Sequence, residues 1–354
     1  MSFLIKKSTA AFLVISMANL VVAFLTFFIL PPKFFYDSAI IIYDNYNEIG
    51  FLGSYPLTIL FYKITGLRYL PFPVISLIQF PILMFVLYKI GIPENFEKVN
   101  IKNILVYLGI FMIAIFISMP SKEFITFLFF APVVFICCNN RFSFRKTLIT
   151  IILMLFIFGA LYRPYFALIP IIAGAMYLVS FINFKNKTIT VIFYGLLVAV
   201  FLSLSYGIIK GEYFSEMSRE VVNKMRMGSE DANSMIIPPV KPDTWYGEAI
   251  SVFYGFFTVN IPVNGLKHIF SPQIIVFIIW QLLLFYILLV RFSRCLKERK
   301  KYQNELLILF IIFSFFIVQG VFEPDLGSAV RHKIGIFPLI YFALYYEHFR
   351  KELQ

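Results

Sequence analysis

The length of its uninterrupted apolar runs limits what this chain can fold into more than any other feature. Ala10–Leu30, Phe72–Ile90, Ile189–Ile209, Ile274–Val290 and Leu306–Val321 each approach the ~20 residues that a helix needs to cross a ~30 Å hydrocarbon core. No water-soluble core uses that much apolar surface: 60% of the 354 residues are hydrophobic, with 45 Phe and 21 Tyr among them. The runs are continuous rather than alternating, which argues against a β-barrel. Lipid offers the backbone no hydrogen bonds, so such runs satisfy their own amides as helices. The chain reads as an all-α, polytopic integral membrane protein, a single transmembrane domain over residues 1–354.

Two further stretches, Ile104–Cys138 and Leu148–Ile182, are too long for one crossing. At 1.5 Å per residue each would reach roughly 50 Å. Each carries a proline-bearing polar break, Pro120-Ser121-Lys122-Glu123 in one and Tyr162-Arg163-Pro164-Tyr165 in the other. Proline disfavours helix at the residue before it, so each stretch reads as a helical hairpin with a tight turn. With Ile334–Tyr346 the count is about ten transmembrane helices. Lys6 and Lys7 precede a first run too long for a signal-peptide core, which predicts a retained helix entering from the cytoplasm.

On that topology both termini are cytoplasmic. The cytoplasmic segments hold 18 Lys and Arg against 6 Asp and Glu, and the other side holds 13 of each. The whole net charge of +12 thus falls inside, as the positive-inside rule expects. The membrane therefore accounts for the basic balance without nucleic acid. Ile49–Thr65 is too interrupted for a confident span and reads as interfacial or re-entrant. Residues 210–270 form a large periplasmic loop: a mobile amphipathic cover over Lys210–Glu248, then a weakly apolar stretch that lies in the interface or dips back.

Every unusual polar insertion falls on the outer side: Asp37 and Asp44, Lys122-Glu123, Arg163, Lys210–Glu248 and Glu323–Lys333. Desolvating an arginine alone between apolar helices is costly, so Arg163 must be paired, hydrated or snorkelling. A lipid-linked phosphate would satisfy it, because guanidinium binds phosphate oxygens through two parallel hydrogen bonds. Lys122 and Glu123 can pair with each other or face solvent. Arg331, His332 and Lys333 are adjacent, so one helical face cannot present all three and at least one should reach water. His332 titrates near neutrality and can exchange a proton with a phosphate or sugar hydroxyl. Asp37 is a candidate base or sugar-hydroxyl acceptor. Trp245, Tyr246 and Tyr254 lie where sugar stacking would be useful.

Several chemistries lack their motifs. There is no phosphate-cradling glycine loop, nucleophile elbow or His-Glu-x-x-His, and Cys137, Cys138 and Cys295 offer no zinc spacing. No acid sits mid-span in a confident helix, which counts against a proton-coupled transporter.

The residues Pro120-Ser121-Lys122-Glu123, Tyr162-Arg163-Pro164 and Gly327-Ser328-Ala329-Val330-Arg331-His332-Lys333 carry a resemblance. Together with the Phe- and Tyr-rich helices and the large external loop, the chain resembles the O-antigen and capsular polysaccharide polymerases (the Wzy class). It is also similar to membrane glycosyltransferases that act on polyprenyl-linked sugars and carry an acid in the first external loop, a position that Asp37 or Asp44 would match. The resemblance implies a GT-C-like helical architecture in a bacterial inner membrane. It implies a glycosyltransferase that moves a glycan from undecaprenyl pyrophosphate to another lipid-linked repeat unit on the periplasmic face. Arg163, Arg331, Lys122 and Lys333 would bind pyrophosphate and glycan, and His332, Glu323 or Asp37 would act as the base. It implies no metal or cofactor, and a chain-length regulator as a protein partner beside the lipid-linked substrate. The alternatives are a flippase for lipid-linked oligosaccharide and a membrane acyltransferase modifying surface polysaccharide. A flippase would need intramembrane polar residues and usually pseudo-repeats, neither of which is visible.

Overall fold

The computed structural model describes residues 5–43, 51–138, 142–227, 234–268 and 272–352. Among them every regular element is a helix, and the one β-type pairing is an isolated bridge between Met235 and Asp325. The helices are α1 (Lys7–Ile29), α2 (Tyr36–Tyr43), α3 (Ser54–Ile64), α4 (Phe72–Ile90), α5 (Ile101–Phe116), α6 (Lys122–Cys138), α7 (Phe144–Leu161) and α8 (Leu168–Val179). They continue with α9 (Lys187–Lys210), α10 (Val221–Arg226), α11 (Trp245–Asn260), α12 (Pro272–Lys297), α13 (Gln303–Phe322), α14 (Leu326–Gly335) and α15 (Phe337–Glu352). Six helices are long and apolar enough to cross a bilayer: α1, α4, α7, α9, α13 and residues Ile274–Lys297 of α12. Asp44 lies outside the described residues. The expected breaks occur where proline interrupts the two long stretches: α5 ends at Phe116 before α6 begins at Lys122, and α7 ends at Leu161 before α8 begins at Leu168.

The sequence reads as one domain, but the chain separates into two compact units. The first comprises residues 1–151, 160–164 and 331–354. In it α1 packs on α4 and α5, while α15 packs on α6, α4 and α5. The tyrosines of α15 tie down the α4–α5 connection: Tyr341 donates to the carbonyl of Gly91 at 2.7 Å, and Tyr345 donates to Asn103 Oδ1 at 2.6 Å. Asn103 in turn donates to the carbonyls of Asn95 and Lys98, closing the loop that its neighbour Asn100 caps. The interrupted stretch around Ile49–Thr65 contributes the 11-residue helix α3. It is held because Ile59 and Tyr62 join Ile41, Ile42 and Ile75 in a buried apolar cluster.

The second unit comprises residues 152–159 and 165–330. Its axis is α13, packed on α8, α9, α11 and α12. The apolar window of α13 is 94% buried, against 22% for α1, so equal hydrophobicity serves a core in one helix and an outer surface in the other. The first part of the weakly apolar stretch after Glu248 belongs to α11, which ends at Asn260 and packs against α13, and a 3-10 turn, Val263–His268, follows. A Cβ on Gly255 would run into the carbonyl of Gly320, and one on Gly320 into the backbone of Phe256. These two glycines let the backbones meet, as small residues do in membrane helix pairs.

Two further expectations change. The described part of Lys210–Glu248 is anchored rather than a mobile cover. A π-helical turn, Glu216–Glu220, leads into α10, and buried Arg219 donates to the carbonyls of Gly320 (2.9 Å) and Ser251 (3.0 Å). Asn223 donates to the carbonyl of Ile236, and Arg226 pairs with Asp325. A guanidinium that finds carbonyls inside the protein holds its segment there. The polar stretch before the last apolar run is likewise not a simple turn, because residues from Leu326 form α14. Asp325 Oδ1 accepts from the amide of Ser328 at 2.8 Å and caps that helix.

Candidate functional site

In the first unit, four separate parts of the chain deliver charged side chains to one buried cluster. Pro31 and Pro32 end α1, and the short 3-10 turn after them sets Asp37 in the first turn of α2. Pro120 and Ser121 end the α5–α6 turn and start α6 with Lys122 and Glu123. Arg163 follows α7 directly. Arg331, His332 and Lys333 lie on α14.

Hydroxyl groups pin the turn that carries Lys122 and Glu123. Ser38 donates to the carbonyl of Pro120 at 2.8 Å, and Tyr162 donates to the carbonyl of Lys122 at 2.9 Å. The amide of Ser121 donates to the Tyr62 hydroxyl at 3.2 Å, and Ser121 Oγ accepts from the amide of Phe124 at 3.1 Å. Gln79, with its amide turned to donate to the carbonyls of Ser118 and Met119, accepts from Tyr62. Thr58 and Tyr162 share a further hydrogen bond of 2.7 Å. Buried hydroxyls that are all partnered fix a backbone turn more rigidly than apolar contacts alone.

Glu123 is fully buried and Arg163 is 5% exposed. Arg163 donates to Glu123 Oε1 at 2.7 Å, and His332 Nε2 lies 3.1 Å from the same oxygen. Arg331 pairs with Asp37 Oδ2 at 2.7 Å, and its Nε is 4.0 Å from Glu123 Oε2. Lys122 Nζ stands 3.8 Å from Asp37 Oδ2 and 3.8 Å above the ring of Tyr55. Tyr55 donates to Asp37 Oδ1 at 2.7 Å. Burial alone would raise the carboxyl of Asp37, but Arg331 and Lys122 outweigh it and hold the group below its ordinary range. Burial pushes the Tyr55 phenol well up, and the Asp37 charge adds to that shift, so Tyr55 stays a proton donor.

The cluster brings together five of the seven side chains read from the sequence, Asp37, Lys122, Arg163, Arg331 and His332, while Lys333 is fully buried on the same helix. The side chains of Arg331, His332 and Lys333 are all mostly covered, at 24%, 18% and 0% exposure. Arg331 and His332 keep part of their surface open while α14 meets partners on more than one side: Asp37 of α2 faces Arg331, and Glu123 of α6 faces His332. Glu323 belongs to the second unit. There it accepts from Ser328 Oγ at 2.8 Å and Gln319 at 3.2 Å, just ahead of α14. Those contacts place it at the start of that helix, apart from the ion pairs of the cluster. Trp245 and Tyr246 stand exposed at the start of α11 in that unit.

Sequence reasoning listed Glu123 only as a neighbour of Lys122, yet it is the carboxylate at the centre of the cluster. It also missed Ser38, Tyr55, Thr58, Tyr62 and Gln79, and nothing in a chain with 21 tyrosines marks out those that serve the site. Among the described residues no three His, Cys, Asp or Glu side chains are grouped to hold a metal ion. What remains chemically is a nearly dry cluster in which Lys122, Arg163 and Arg331 meet the carboxyls of Asp37 and Glu123, with the imidazole of His332 among them. No protein family, curated protein or solved structure matches this chain.

Proposed function

We propose that this chain is a membrane glycosyltransferase that polymerises lipid-linked oligosaccharide repeat units of an O-antigen or capsule. It transfers a glycan from undecaprenyl pyrophosphate to the end of another lipid-linked repeat unit. The observation that carries the reading is the cationic excess of the buried cluster, with Lys122, Arg163 and Arg331 set against Asp37 and Glu123. Such an excess in a low-dielectric recess calls for an anion, and a diphosphate supplies one.

In this reading the six long helices and α5, α6, α8 and α15 make ten crossings in a GT-C-like arrangement. Both termini lie in the cytoplasm and the cluster faces the periplasm of a bacterial inner membrane. Arg331 and Lys122 neutralise charge as it builds on the departing pyrophosphate. Arg163 holds the Glu123 carboxylate at 2.7 Å and adds its charge to the cluster that faces the pyrophosphate. His332 is the group that exchanges a proton with the acceptor hydroxyl.

Deleting the gene and examining surface polysaccharide tests the assignment. A single repeat unit on the lipid core is the expected outcome, whereas complete loss of the glycan would move the chain to an earlier step. The chemistry is tested with purified protein and lipid-linked repeat units. Arg331→Lys keeps the charge but loses the planar fork, and it should cost on the order of 2–4 kcal/mol of transition-state stabilisation. Near-normal turnover in that variant would remove Arg331 from pyrophosphate binding.

A further inference from the structure

The segment that follows α9 is built inside out for a loop in water. Residues 214–226 run as one helical stretch, in which the π-helical turn leads into α10. Its buried side is polar: Ser215, Arg219 and Asn223, spaced four apart, face the interior of the second unit. Two positions on from each come Met217, Val221 and Met225, which a helix sets on the opposite side, and all three are exposed. Arg219 is 1% exposed and Met225 80%. A helix on a water-facing surface shows the reverse, with apolar residues inward and polar ones outward. The polar side points inward because its partners are there. Ser215 shares the Glu248 carboxylate with Ser203, Arg219 donates to the carbonyls of Gly320 and Ser251, and Asn223 donates to that of Ile236.

The depth of the segment follows from α9, one of the helices long and apolar enough to cross a bilayer. The helix ends at Lys210, and Gly211, at φ +85°, lets the chain reverse. The ring of Tyr213 then packs where Gly207 has no side chain. The Phe214 amide donates to Ser203 Oγ at 2.9 Å, and the Phe214 ring lies 4.7 Å from that of Tyr206. The Tyr206 hydroxyl donates to Met217 Sδ at 3.4 Å. Tyr206 and Ser203 lie four and seven residues before the end of α9, about 6 and 10 Å back along its axis. The chain therefore folds back along the last two turns of α9 instead of running out beyond them. In those turns Ile208 and Ile209 are themselves exposed apolar side chains.

We infer that residues 214–226 lie half-embedded at the edge of the bilayer, with Met217, Val221 and Met225 against lipid acyl chains. Backbone that departs from regular helix geometry is tolerated at that depth where protein covers it, and the partners of Ser215 and Arg219 supply that cover. The apolar side settles about 5–10 Å into the boundary between headgroups and acyl chains. Lys224, paired with Glu220 at 3.0 Å, follows the buried Asn223, and its long stem carries the ammonium out to the headgroups. The inference goes beyond the glycosyltransferase reading: it needs α9 to cross the bilayer and nothing of the reaction.

The full chain in lipid nanodiscs carries the test. Cys137, Cys138 and Cys295 are replaced by alanine, and single nitroxide labels are introduced through Met217→Cys, Val221→Cys and Met225→Cys. Glu212→Cys and Lys241→Cys, at exposed polar positions, are the controls. Power saturation compares collisions with oxygen, which concentrates among acyl chains, and with a nickel chelate, which stays in water. The ratio of oxygen to chelate accessibility should be several-fold higher at the three apolar positions than at the controls. Ratios equal to those of the controls would overturn the inference and leave the segment in water. Exclusion of both probes would overturn it too, by showing that protein covers this side. The unaltered chain gives an independent reading if the cysteine-free protein does not accumulate. Phosphatidylcholine carrying a diazirine on the upper part of one acyl chain, photolysed in the same nanodiscs, should leave adducts on Met217, Val221 or Met225 as well as on α9. Adducts on α9 with none on the segment would reject the inference, whatever the polymer assay shows.

Discussion

The two arginines that look alike in the sequence do different things at the level of single residues. Arg163 is nearly unexposed and donates to a fully buried carboxylate, so its loss leaves Glu123 with only His332 and the more distant Arg331 against its charge. Breaking one side of such a pair costs about 3–5 kcal/mol. Arg163→Ala should therefore lower the unfolding temperature and the amount of folded protein, and removing Glu123 as well should restore part of the loss. Equal stability of the single variant and the wild type would show that water reaches the pair. Asp37 makes a pH-dependent contribution of definite sign. Its folded-state carboxyl lies below the ordinary value of 3.8, despite burial, because Arg331 and Lys122 favour the charged form. Its stabilisation is thus fully present above that ordinary value and is lost as pH falls through the folded-state one. Thermal unfolding followed from pH 6 downward should show this acid limb in the wild type and a weaker one in Asp37→Asn. An acid limb of the same depth in both proteins would rule out the contribution of Asp37.

The elements are positioned by a few close approaches that hydropathy does not report. The α11–α13 pair depends on backbones meeting at Gly255 and Gly320, where any side chain would collide with main-chain atoms. Gly255→Leu should prevent the second unit from packing and leave little protein in the membrane. Gly174 in α8 is the matched control, because nothing lies within 4 Å of a Cβ built there. Gly174→Ala should leave stability unchanged or raise it by up to ~1 kcal/mol through helix propensity. Normal accumulation of Gly255→Leu in detergent, by size-exclusion chromatography, would mean that the two helices can part without harm. The weak apolarity of the stretch that follows Glu248 has a local cause. Asn260 and Glu248 lower its apolarity, yet both are buried inside the unit, Glu248 accepting from Ser203 and Ser215 and Asn260 donating to the carbonyl of Phe256.

At the scale of the whole molecule the prediction is topological. Reporter fusions at Asp325 should read periplasmic and those at Lys300 cytoplasmic, following the charge split along the chain. Glu230 and Asn140, outside the described residues, should read periplasmic and cytoplasmic respectively. A cytoplasmic signal at Asp325 would invert the orientation and put the charged cluster on the wrong side for lipid-linked glycans.

Residue chemistry and run length were enough to establish helices, their approximate ends and the breaks at Pro120 and Pro164. Those features follow from local rules: lipid-length apolar runs must satisfy their own amides, and proline set among polar residues marks a break, whereas Pro81 and Pro132 within apolar sequence stay inside α4 and α6. The same local reading picked out Asp37, Lys122, Arg163, Arg331, His332 and Lys333, because a charge inside an apolar chain is expensive enough to stand out. It could not say which charge meets which. That Arg163 meets Glu123, that Arg331 meets Asp37, and that Glu323 meets Ser328 at the start of α14 depends on the angle at which each helix arrives. Pairing inside a protein is decided by ångström distances between side chains far apart in sequence, and only packing in three dimensions sets those distances.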